Sequence, residues 1–235
     1  MTIPVDLWRD PEGTIYEKEK ELNDDLRIEV DPTKLKFIKK LKESETSSIF
    51  HVNYDGEPRV LKVFHDNGDP GFADDGVRDL NRARCEIRAY CALKLSGVCD
   101  GGYVPQFYGY TLRLNLTAFA PYLDAFRGGV SLPSATLLEY LPNLLPMNCV
   151  TYTEERMAKA IDGIRQVHLA LIKHNDPYPK NIVIVPSDPE RVMWIDFDVV
   201  IIYPDGTSYI GDRERGWIEF KTGCVEDFGV MLAED

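Results

Sequence analysis

One loop constrains this chain more than any other stretch. His174-Asn175-Asp176-Pro177-Tyr178-Pro179-Lys180-Asn181 stands directly before an apolar strand, Asn181–Val185, and sets Asp176 and Asn181 five positions apart. Fifteen residues beyond Asn181, at the end of a second apolar strand (Val192–Ile195), comes Trp194-Ile195-Asp196-Phe197-Asp198. The turn Pro186-Ser187-Asp188-Pro189-Glu190 joins the two strands, and a hairpin built this way brings Asp176, Asn181 and Asp196 to one end. A carboxylate and an amide oxygen suit a hard divalent cation such as Mg²⁺. A further carboxylate can hold or deprotonate a hydroxyl nucleophile. An Asp-rich loop alone is an ordinary solvated turn; order and spacing give this one its weight.

Upstream, β-prone runs at Phe37–Leu41, Ile49–Tyr54 and Arg59–Phe64 predict strands, with Asp55-Gly56 as the hairpin turn between the last two. Period-two alternation sets Lys62 on the face of Val60 and Phe64, so its ammonium must reach a partner or the protein edge. Arg78 to Leu95 reads as a helix with Leu80, Ala83, Ile87, Tyr90 and Cys91 on one face, and Glu86 borders that face. A structural salt bridge is one account of Lys62 and Glu86. Further strands are expected around Gln106–Leu112 and Ala135–Tyr140. A second helix should follow the capping box Thr151-x-x-Glu154, with Met157, Ala160, Ile161, Ile164, His168 and Leu171 as its stripe. The expected class is α+β, a small β-rich half followed by a mostly helical half that carries a hairpin.

Composition narrows the partners. With 27 Lys+Arg against 39 Asp+Glu in 235 residues, the net charge of −12 disfavours nucleic acid as the main partner, which needs surplus cations. The acidity sits at the ends: residues 1–30 hold nine acids and four bases, and residues 186–235 hold twelve and four. Residues 31–185 are left with eighteen acids and nineteen bases, so a tRNA partner stays open. Lys34, Lys36, Lys39, Lys40 and Lys42 fall in one nine-residue stretch without an acid. No apolar run approaches the roughly 20 residues that span a bilayer, and the N-terminus has no basic region followed by an apolar one. Five cysteines without metal-type spacing read as reduced thiols. A soluble, cytoplasmic protein with no membrane partner is expected, and Glu17–Glu21 should be an exposed segment.

In order and spacing these residues resemble the protein-kinase-like fold. His174-x-Asp176-x4-Asn181 matches its catalytic-loop pattern, Ile195-Asp196-Phe197 its metal-binding motif, and Val60-Leu61-Lys62 its ATP-lysine strand, with Glu86 on the following helix. Leu137-Leu138-Glu139-Tyr140-Leu141 is similar to the strand leading into the hinge between lobes. Glu226-Asp227-Phe228-Gly229 resembles the start of a helix whose Asp braces the catalytic loop. The resemblance implies a bilobal fold: an extension over residues 1–34, a β-sheet lobe over 35–141 with a small antiparallel sheet, and a shortened helical lobe over 142–235. It implies ATP and Mg²⁺ (or Mn²⁺) as cofactors. Lys62, held by Glu86, would meet the phosphates, Asn181 and Asp196 would hold the metal, and Asp176 would accept the substrate proton. Lys180 would neutralise the transferred group, and Glu139 and Leu141 would border the nucleotide.

The departures set the expected subclass. In place of a Gly-rich loop stands Lys42-Glu43-Ser44-Glu45-Thr46-Ser47-Ser48, whose hydroxyls on Ser44, Thr46, Ser47 and Ser48 can meet phosphate, as in the atypical RIO-type kinases. Asn175 replaces the Arg that couples to a phosphorylated activation segment, and Ile-Asp-Phe-acid resembles the aminoglycoside and choline kinases. Only 22 residues separate Asp196 from Glu219, which disfavours a conventional protein-substrate platform. The reading is a phosphotransferase acting on a hydroxyl of a small molecule or an unusual protein. The alternatives are a repurposed transferase moving a nucleotidyl, acyl or aminoacyl group, the last from aminoacyl-tRNA, and a pseudokinase binding module. His174 is expected to pack against Phe197 and not to act as a base.

Overall fold

The computed structural model describes residues 22–74, 76–186, 189–203 and 211–234. The expected segment Glu17–Glu21, and Ser187 and Asp188 of the expected turn, lie outside the described residues. Strands β1 (Leu35–Glu43), β2 (Ser47–Tyr54) and β3 (Glu57–Phe64) form where β-branched and aromatic residues recur. Asp55 and Gly56 close the β2–β3 hairpin at φ 53° and 90°, the left-handed pair that a two-residue turn of this hand requires. Helix α1 (Arg82–Leu95) and strands β4 (Phe107–Thr111) and β5 (Ser134–Glu139) complete an antiparallel sheet of order β1-β2-β3-β5-β4.

Both faces of this sheet are covered. Tyr110 and Leu138 join Ile87 and Tyr90 of α1 in the larger core. Phe50, Val52, Leu61, Val63, Ala135 and Leu137 point the other way, under Leu114, Leu116, Phe119, Leu123 and Phe126 of the long β4–β5 connection. The second half contains β6 (Leu145–Pro146), α2 (Glu154–Leu169), β7 (Ile172–Lys173), β8 (Ile182–Val185), β9 (Arg191–Trp194), β10 (Ile201–Ile202) and α3 (Asp212–Glu234). Its strands pair antiparallel as β6-β8-β9 and β10-β7. The molecule is α+β, with antiparallel sheets, as expected. No helix among the described residues is long and apolar enough to cross a membrane, and all five cysteines are unpaired.

Several local expectations are corrected. Helix α1 begins at Arg82, not Arg78, because the Asn81 side chain accepts from the Arg84 N–H at 3.0 Å and caps it there. Asp79 is held outside by the Arg84 guanidinium at 2.7 Å, and Leu80 is exposed instead of facing the core. The α2 cap is Thr153, which accepts from the Arg156 N–H at 3.1 Å. The hydroxyl of Thr151, the expected cap, is used two residues earlier: it donates to the Pro146 carbonyl (2.6 Å) and accepts from the Asn148 N–H (3.0 Å). Gly163 lies on the buried face of α2, where a Cβ would sit 3.1 Å from Trp194 Cδ1. That close approach brings the Trp194 indole N–H to the Ala160 carbonyl at 2.8 Å. Asp227 is exposed in the middle of α3, and the helix starts fourteen residues before Glu226, at Asp212. This helix is tied to the loop by Lys221, which donates to the Asn175 carbonyl at 3.0 Å, and by Phe228, whose ring lies 5.2 Å from that of Tyr178. Residues 22–30 lie against β4: Leu22 is buried, and the Ile28 N–H donates to the Tyr110 carbonyl at 2.8 Å.

Candidate functional site

Lys62 is the hub. It points from the middle of β3 towards α1 and is 5% exposed, while Glu86 on α1 is 1% exposed. Two charges this deep cannot be left uncompensated. The Lys62 ammonium donates to Glu86 and, at 2.9 Å, to Asp196 Oδ1, 134 positions away in the chain. Asp196 follows β9 with φ 67°, a left-handed conformation that Asp tolerates better than most residues. Its loop is pinned from α1, where the Cys85 thiol donates to the Val200 carbonyl at 3.3 Å. Phe197 packs on Tyr90 and on His174, with ring centroids 5.4 and 5.0 Å apart.

The loop before β8 supplies the second set of groups. Asn181 Nδ2 donates to the Asp176 carbonyl at 2.8 Å and to its Oδ2 at 3.1 Å, which fixes the carboxylate. Lys180 donates to the same Oδ2 at 2.8 Å. The Asn175 amide donates to the Val199 carbonyl at 2.9 Å, tying this loop to the segment after Asp196. His174 is fully buried between Trp194 and Phe197; one ring nitrogen reaches the Ile195 carbonyl and the other accepts from the Asp176 N–H. Its place is that of a packing and orienting residue, as expected.

Lys62, Asp176, Lys180 and Asp196 line one cavity of about 440 Å³. The β1–β2 turn forms a further wall with Lys42, Ser44, Thr46 and Ser47. Ser44 Oγ accepts from the N–H groups of Thr46 (3.3 Å) and Ser47 (3.1 Å), so the turn is braced by its own first hydroxyl. Besides Glu86, which lies behind Lys62, four expected residues are not among the cavity's lining. Ser48 alternates onto the other face of β2, fully buried beside the second core, with its hydroxyl unpartnered. The Glu139 carboxylate takes the Arg191 guanidinium at 2.7 Å and the Gln106 N–H at 3.1 Å. Leu141 is buried with Val183, Val185 and Met193. Asn181 is buried against Asp176 and is not among the cavity-lining residues.

The carboxylates near Lys62 are shifted in opposite directions. Burial raises the Asp196 pKa, but Lys62 outweighs it and holds the group below the ordinary carboxylate range. Asp198 moves the opposite way, because burial and the neighbouring Asp196 charge both disfavour its ionised form. Burial likewise pushes Glu86 up, with the Lys62 ammonium pulling against it. Glu86, Asp196 and Asp198 offer oxygens that all lie within 4.8 Å of one another. Arg82, at the first position of α1, donates to Asp198 at 3.1 Å.

Compared with known proteins, the chain matches no family model and no curated protein. The site therefore has to be read from its own chemistry. Sequence reasoning missed two of its members. Asp198 was visible as a carboxylate two positions after Asp196. Arg82 had no local signal, since its partner lies 116 residues away.

Proposed function

We propose that this chain is an ATP- and Mg²⁺-dependent phosphotransferase with a protein-kinase-like arrangement, acting on a hydroxyl group of a small molecule or an unusual protein. The observation that supports this reading best is the Lys62 bridge: one buried ammonium joins Glu86 of α1 to Asp196, on the rim of the cavity that Asp176 also lines. A cation held between two carboxylates is positioned before any ligand arrives, and phosphoryl transfer depends mostly on such positioning and on charge stabilisation.

Glu86 lies behind Lys62 and off the cavity lining, so Asp196 and Asp198, which line it and each keep an oxygen beyond the one that meets Lys62 or Arg82, are the carboxylates that would hold a divalent ion there. An all-oxygen donor set fits Mg²⁺ or Mn²⁺. Bound there, the ion would neutralise phosphate charge. Lys62, Lys42 and the hydroxyls of Thr46 and Ser47 would bind and orient the phosphate chain. Asp176, held by the Asn181 amide, would take the proton of the acceptor hydroxyl. Lys180 extends into solvent from Asp176 and would turn to the transferred group when the acceptor displaces it.

The test is thermal unfolding with millimolar Mg²⁺ and ATP. Ligand at a hundred times its Kd adds about 2.7 kcal/mol, a rise in Tm of roughly 5–10 °C for a chain of this size. Asp176→Asn should keep that rise and lose phosphoryl transfer by about 10²-fold or more. An unchanged Tm at saturating ATP and Mg²⁺ would sink the proposal.

A further inference from the structure

The cavity stops short along the sheet, and what closes it bears on which donors fit. Residues paired across β2, β3 and β5 share a face: Ile49, Lys62 and Thr136 form one rung, and His51, Val60 and Leu138 form the next. Ile49 and Lys62 line the cavity, whereas no residue of the second rung does. There the His51 ring stacks on Tyr140, just past the end of β5, with centroids 3.7 Å apart and planes 3° from parallel. Val60 lies on the strand between the two, so the stacked rings bridge over it. Beyond the stack, Glu139 is engaged by Arg191 and Leu141 is buried. On β1, the residue opposite His51 is Lys39, which is not an apolar wall.

A flat heterocyclic base needs two apolar faces and a polar edge. Among the described residues, Ile49 and Val199 are the only apolar ones that line this cavity; the rest are charged or carry hydroxyls. Lys42, Lys62, Arg82 and Lys180 are suited to phosphate oxygens, and Asp196 and Asp198 to the accompanying cation. Apart from Asp176, assigned above to the acceptor hydroxyl, the polar groups that line the cavity suit a phosphate chain and its cation.

We infer that the site selects its donor by a Mg²⁺-bound triphosphate chain alone, and that the His51–Tyr140 stack keeps the base from being read. The inference rests on the phosphotransferase reading and adds donor specificity to it. Nucleoside triphosphates of all four bases then bind alike, and inorganic tripolyphosphate binds as they do.

Calorimetric titration of the full chain with the Mg²⁺ complexes of ATP, GTP, CTP, UTP and tripolyphosphate tests this. The expected dissociation constants agree within about threefold. Tyr140→Ala and His51→Ala, made separately in case one fails to fold, should uncover Val60 and tighten ATP about tenfold relative to tripolyphosphate. One nucleotide binding more than tenfold tighter than the others, or tripolyphosphate failing to bind while ATP does, overturns the inference and leaves the phosphotransferase reading standing. Binding by none of the five overturns both.

Discussion

Lys62, Glu86 and the two buried histidines show how costly single groups are managed in this molecule. Removing one partner of a buried pair leaves an uncompensated charge, at a cost of about 3–5 kcal/mol. Lys62→Met should therefore lower unfolding stability by an amount of that order, and Lys62→Met/Glu86→Gln by distinctly less; urea denaturation measures both. Equal losses in the two variants would contradict a direct pair. His168 presents the opposite case. One ring nitrogen meets the Thr222 hydroxyl at 2.8 Å, and the other is buried without a partner. Burial lowers its pKa to about 4, and that of His174 also to about 4. Both folded pKa values lie below the unfolded one, so between about pH 6.5 and 4 the unfolded chain binds more protons. Stability is present above that window and lost as pH falls through it, by ~3 kcal/mol per histidine. His168→Phe should show a correspondingly smaller loss between pH 7 and 4.5, followed by denaturant midpoints; a loss as large as the parent's would show that His168 is not the titrating group.

At the scale of elements, α3 illustrates what propensity can and cannot predict. Gly216, Gly223 and Gly229 all fall inside this helix, where glycine costs about 1 kcal/mol relative to alanine. A Cβ at Gly216 or Gly223 would meet nothing within 4 Å, whereas one at Gly229 would sit 2.9 Å from Met157 Cγ on α2. Gly216→Ala and Gly223→Ala should each stabilise by about 0.5–1 kcal/mol, and Gly229→Ala should gain nothing or lose. Thermal melts of the three variants would separate these outcomes, and a gain at Gly229 would mean α3 packs more loosely on α2 than described. The longer strands and the existence of α1 and α2 were legible in the sequence, because their apolar patterns extend over several residues; the two-residue strands β6, β7 and β10 carry no such pattern. Their ends were not, since Asn81 and Thr153 compete with other plausible caps, and hydrogen bonds made elsewhere decide between them. The depth of Glu86 was legible from its helix face, but Leu80 was misplaced on that face because the helix starts later.

At the scale of the whole molecule, the larger core runs from Tyr90, Phe107 and Leu138 beneath the five-stranded sheet to Ile164, Trp194 and Val225 in the second half. With apolar contact continuous across the chain, the two halves should melt together. Scanning calorimetry should show one transition whose calorimetric and van't Hoff enthalpies agree; two resolved transitions would contradict a shared core. Phe119→Ala, in the separate cluster on the far side of the sheet, should cost about 3–5 kcal/mol without splitting that transition. The sequence by itself determined the longer strands and the existence of α1 and α2, and that Lys62 and Glu86 fall on or beside apolar faces, because period and turn chemistry act over a few residues. It also marked Asp176, Asn181 and Asp196 as neighbours, since a short hairpin joins them. Only the tertiary structure decided that Lys62 bridges Glu86 and Asp196, that Arg82 meets Asp198, and that His51 stacks on Tyr140. Those contacts join residues dozens to more than a hundred positions apart, and their geometry is set by how the sheet, α1 and the loop after β9 pack, which no local pattern records.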